Sequence, residues 1–184
     1  MKKILLCSVL FALVASVFPV TTAGAETKMT ILGEDPAGDG PPALDVTYLA
    51  VGKASKNLEV HIGVDGMLPA IGGYPQLPGI QWAFDVKNRT FVAEAYVNNQ
   101  NPRFLLFELV DGTFNQLGDL EGTYDSADGY ISMLVPLKDI GAKKGTKISG
   151  TGPPGTEDVD AHVHIGPQTY IADAFATEKD YVVR

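Results

Sequence analysis

After residue 25, hydrophobic and polar residues alternate with a period of two. Leu58, Val60, Ile62 and Val64 interleave with Asn57, Glu59, His61 and Gly63, the pattern of a strand with one face buried. Leu44, Val46, Tyr48 and Ala50 repeat it. Ile80, Trp82, Phe84 and Val86 share one face, with Gln81, Ala83 and Asp85 on the other. Trp82 is therefore expected in the core, in phase with its aliphatic and aromatic neighbours. Lys87-Asn88-Arg89 reads as a tight turn into a strand over residues 90–97. The run RFLLFELV (103–110) is apolar on both faces and predicts a central strand. Asp111-Gly112 after it signals a hairpin. Further strands are expected near 113–117, in GYISMLVPL (129–137), and at 147–149 and 181–183. Residues 66–79 and 149–168 read as loops. No helical stripe follows the first residues, and PLKDIGAKKG supplies one turn at most. Strand signals every ten residues or so, with Gly and Pro between them, predict an all-β chain: a single antiparallel, jelly-roll-like β-sandwich.

The first residues differ in kind. Lys2 and Lys3 precede an apolar run from Ile4 to Val20, and Ala23-Gly24-Ala25 offers a cleavage site. This predicts a signal peptide of bacterial type over 1–25 and a domain over 26–184, so a secreted, periplasmic or extracellular protein with no membrane span in the mature chain. The one cysteine, Cys7, falls in the removed segment. Thiol catalysis, cysteine-bound metals and disulfides are thereby excluded from the mature chain. The full chain carries a net charge of -8. Without the two leader lysines, 12 basic side chains face 22 acidic ones. Nucleic acids and anionic membranes want the opposite balance.

Two longer stretches, YPQLPGIQWAFDVKNRTFVAEA (74–95) and GYISMLVPLKDIGAKKGTKISG (129–150), together with the opening DPAGD (35–39), resemble secreted bacterial β-sandwich modules of the DOMON and family-nine carbohydrate-binding type. The resemblance covers most of residues 35–150. It implies a sandwich that binds a sugar, haem or calcium, or acts as a spacer on a cell-surface protein. No evident pair of haem ligands sits on the strands.

Chemistry concentrates at two places. Asp35, Asp39 and Asp45 flank a turn stiffened by Pro36, Pro41 and Pro42. Calcium takes six to eight oxygens, which aspartates and loop carbonyls supply. A turn at Ala37-Gly38 would converge the first two, and Asp173 would complete the set if the chain ends meet. The spacing is not that of an EF-hand, and an acidic solvated turn has the same composition. Second, Asp158, Asp160, His162 and His164 would share one face of an extended strand. His162 and His164 are the alternative, the centre of a metal-dependent enzyme or of a zinc- or copper-binding protein, with a carboxylate added. The same pattern also fits an edge strand with a wet polar face. Among the aromatics, Tyr74 in its Gly-Pro loop is the ligand-contact candidate for a carbohydrate. The carboxylate pairs Asp119/Glu121 and Asp125/Asp128 fall on strands and turns, where surface charge is the simpler account. No nucleophile motif accompanies the histidines, so the expected function is non-enzymatic: a binding or surface module, with calcium as a structural ion.

Overall fold

The computed structural model describes residues 27–41, 43–67, 78–98, 101–152, 155–165 and 168–184. The expected leader and Tyr74 lie outside them. The described chain is all strand and turn: β1 (Thr30–Glu34), β2 (Asp45–Ala54), β3 (Asn57–Asp65), β4 (Pro78–Val86), β5 (Arg89–Asn98), β6 (Asn101–Val110), β7 (Thr113–Asp119), β8 (Glu121–Asp125), β9 (Tyr130–Pro136), β10 (Lys147–Gly150), β11 (Val159–Ile165), β12 (Gln168–Phe175) and β13 (Tyr181–Val182). Two antiparallel sheets face each other, in the order β1-β2-β3-β9-β8 and β12-β11-β4-β5-β6-β7. One edge of β4 serves two strands. β11 pairs along Pro78 to Trp82, and β10 along Phe84 to Val86. Among the described residues no helix is long and apolar enough to cross a membrane.

The period-two faces meet between the sheets. Val60, Ile62 and Leu58 from one layer and Ile80, Trp82 and Phe84 from the other are all buried. Trp82 is fully enclosed and stacks on Phe84 with ring centroids 4.4 Å apart. Its Nε1 has no hydrogen-bond partner, so packing alone holds it. The Asp111-Gly112 hairpin forms with both residues at positive φ (51° and 76°), the conformation that matches strand twist in a two-residue turn.

Two expectations change and a third holds. Residues 149–168 are not a loop throughout, because β11 runs through them. β11 is not an edge strand either, since β12 and β4 pair on its two sides. β6 does have neighbours on both sides, β5 and β7. However, Phe107 and Leu109 are only half-buried, and β7 beyond it is exposed along almost its whole length. Phe114 and Leu117 stand in solvent there.

Two bulges prepare the site. In β2 the register against β3 shifts between Val46 and Tyr48. In the β11–β12 hairpin it shifts so that Ala161 faces Asp173 while His162 faces Ile171. Ala172 is the extra residue. A bulge reverses the facing of everything beyond it. Ile171 thus points outward with His162, whereas Asp173 points inward with buried Ala161.

Candidate metal centre

Asp35 follows β1, Asp39 sits at the tip of the next turn, Asp45 opens β2, and Asp173 lies in β12 of the opposite sheet. Carboxylate oxygens of Asp35, Asp39 and Asp173 come within 4.8 Å of one another. Asp45 lies beside them. An added Cβ on Gly40 would come 2.9 Å from Asp45 Cα and 3.0 Å from Asp173 Cγ, so glycine is what lets the turn close over both residues.

Backbone donors fix two of the four carboxylates. Gly38 N donates to Asp45 Oδ2 at 2.6 Å. Asp173 Oδ2 accepts from Val46 N at 2.7 Å, and its Oδ1 from Ala174 N at 3.0 Å. Of these three bonds, that of Val46 crosses between the sheets. Asp35 N donates to Thr47 O, the carbonyl of the bulged residue. Asp45 is only 2 % exposed, and its Oδ1 has no partner. A buried carboxylate oxygen left unpaired is costly, by about 1–3 kcal/mol or more for a charged group. Burial pushes the Asp35 carboxyl above its usual range, and the charges of Asp39, Asp173 and Asp45 push it further. Asp173 is raised too, by burial first and then by Asp39 and Asp45, against the pull of its two backbone donors. The cluster is one of mutual repulsion, half removed from water.

The histidine constellation is built differently. His162 Nδ1 lies 2.7 Å from Asp160 Oδ1, and Nε2 lies 3.0 Å from Glu94 Oε1. Gln81 Nε2 donates to Asp160 Oδ2 at 2.6 Å. His162 and Glu94 are nearly inaccessible, at 3 % and 5 % of their side-chain area. The imidazole reaches Glu94 on β5 across the intervening strand β4, because Gly79 has no side chain: an added Cβ would stand 2.4 Å from Nε2. Burial lowers the imidazolium pKa, but the hydrogen bonds and charges of Asp160 and Glu94 outweigh it and raise the value to about 9. The ring is a cation at neutral pH, and the two nitrogens a transition metal would take are held by carboxylates. The side chain of His164 lies outside the described residues.

Comparison with protein-family models, curated proteins and solved structures gives no match.

The remaining candidates have structural surroundings. Asp158 does not join Asp160 and His162. Its carboxylate turns to the amide and hydroxyl of Thr177, both at 2.7 Å, and fastens the chain after β12 to the start of β11. His61 stacks on Tyr130 at 4.7 Å and contacts Glu59 at 3.0 Å. Asp125 caps its own turn through the amides of Ala127 and Asp128, and Asp119 pairs with Arg103 in solvent. Glu94 went unnoticed in the sequence because a single carboxylate between Ala93 and Ala95 reads as an outward, wetted position. The signal was there, in small residues on either side of a charge within a strand.

Proposed function

We propose that this protein is a secreted, non-enzymatic binding or surface module whose sandwich is tied by a calcium ion between Asp35, Asp39, Asp45 and Asp173. The observation that carries the reading is the unpartnered Oδ1 of Asp45, buried beside three carboxylates that crowd one another. Hydrogen bonds from Gly38, Val46 and Ala174 fix the cluster without neutralising it. A hard divalent cation supplies the missing partner and cancels the repulsion in one step. All the donors are oxygens, which selects calcium over softer metals. The ion would join the β1–β2 turn to a strand of the opposite sheet, a structural role rather than a chemical one. The ligand such a module would present its surface to is a carbohydrate or another cell-surface group.

Thermal unfolding in millimolar calcium and in chelator tests this. Micromolar affinity corresponds to about 4 kcal/mol of stabilisation at a thousandfold excess. Asp39→Asn is expected to reduce the calcium effect, whereas Asp119→Asn, outside the cluster, leaves it intact. Magnesium, which demands tighter octahedral geometry, is expected to act weakly. Superimposable melts in calcium and in chelator would end the calcium reading.

A further inference from the structure

The cation cluster and the buried histidine stand on the same hairpin. β11 carries Asp160 and His162, and β12 carries Asp173 directly across from Ala161. The hairpin lies at the edge of its sheet: in the ladder its β11 side pairs with β4, and β12 is held to the facing sheet through Asp173 and Val46. That ladder fixes β11 as a strand. It does not reach β5. The second anchor does: His162 spans the gap over Gly79 to Glu94, while Asp160 is tied to Gln81 on β4. The bulge at Ala172 lies between the two places, within one residue pair of each. A bulge is where a ladder is weakest and where facing is decided.

We propose that His162 is a positioning residue for the cation site: clamped between Glu94 and Asp160 on the outer face, it holds the β11–β12 bulge so that Asp173 points across to β2. The ion's identity rests on the calcium reading above; the positioning of Asp173 does not. His162 bonds Asp160 and Glu94, on the face of β11 opposite to Ala161. It acts through the hairpin, as residues outside a metal's own ligands do when they orient those ligands, with losses of about 10–100-fold in affinity on mutation.

The experiment is amide hydrogen exchange on the full mature chain in chelator, followed by calcium titration by calorimetry, for wild type, His162→Gln and Gly79→Ala. Gly79→Ala displaces the imidazole and the Glu94 carboxylate while leaving both side chains in place, and it serves if His162→Gln does not fold. The Val46 amide, whose acceptor is Asp173 Oδ2, is expected to exchange at least about tenfold faster in either variant, while the Val60 and Ile62 amides of β3 keep their wild-type rates. Calcium affinity is expected to fall about tenfold. Unchanged exchange at Val46, or equal acceleration at Val46, Val60 and Ile62, would overturn the positioning role. Absence of calcium binding by wild type would instead overturn the calcium reading, and the exchange data would still decide the role of His162.

Discussion

Replacing Asp45 by Asn should have opposite effects on stability with and without calcium. Asparagine keeps the oxygen that accepts from Gly38 N and puts an amide NH2 where the unpartnered Oδ1 now stands. Without a cation this removes one member of a repelling cluster. At a few ångströms each like-charge pair costs on the order of 1 kcal/mol in water and several times that where water is partly excluded. The new amide can also donate to a neighbouring carboxylate, and hydrogen bonds to charged groups contribute about 1.5–3 kcal/mol. A gain of roughly 2 kcal/mol in chelator is a conservative sum of these. For a domain of this size it raises the melting temperature by about 4–8 °C. With calcium in thousandfold excess the wild type gains about 4 kcal/mol that the variant largely forgoes. The order of the two melting curves then reverses. Scanning calorimetry of both proteins in chelator and in calcium reads the effect directly. If Asp45→Asn is less stable than wild type by the same amount in both conditions, Asp45 is an ordinary buried hydrogen-bonding residue and the argument fails.

Three further outcomes are expected. The His162 imidazolium, raised from 6.5 to about 9, contributes stability that is fully present below pH 6.5 and is lost as pH rises through 9; at 1.36 kcal/mol per pKa unit this is about 3 kcal/mol, measurable by urea unfolding at pH 6, 8 and 10, and a flat profile would refute it. In chelator, Asp35 and Asp173, whose folded-state values are raised, contribute stability that is fully present below the ordinary aspartate range and is lost as pH rises through their raised values; their alanine variants should abolish that component of the pH dependence measured by circular dichroism. Trp82→Ala should cost about 3–5 kcal/mol, and native Trp82 fluorescence should resist iodide, whereas free quenching would contradict its enclosed position.

The sequence made the core legible wherever one face was wholly apolar and the phase unbroken. Leu58 to Val64 and Ile80 to Val86 could be assigned from alternation alone. β12 escaped because the extra residue at Ala172 breaks the phase of QTYIADAF, so its apolar residues fit neither a strand nor a helix. β11 was visible as alternation, yet its polar face suggested an edge, because pairing on both sides leaves no mark on a sequence. Convergence of Asp35 and Asp39 followed from their short spacing across the turn. The arrival of Asp173 depended on the meeting of distant strands, which residue spacing does not encode. Gln81, and the partner that Glu94 meets, were unreadable for a related reason: both depend on a histidine from another strand lying over a glycine.

β7 has a consequence of its own for how the protein behaves in concentrated solution. From Thr113 to Gly118 it carries no charge and no proline, its outer edge has no strand beside it among the described residues, and Phe114 is more than half exposed. Lysines and prolines are the usual guards against unwanted strand addition at such an edge. Here the guards are a bulge at Leu117, where the register against β6 shifts, and the net charge, -8 over the full sequence, which acts at a distance and fades as ions screen it. Colloidal stability is thus a function of ionic strength: dilute buffer keeps copies apart, and molar salt, with a screening length of about 3 Å, lets one bare strand find another. A single Gln116→Lys substitution would supply a local guard and make solubility far less sensitive to salt.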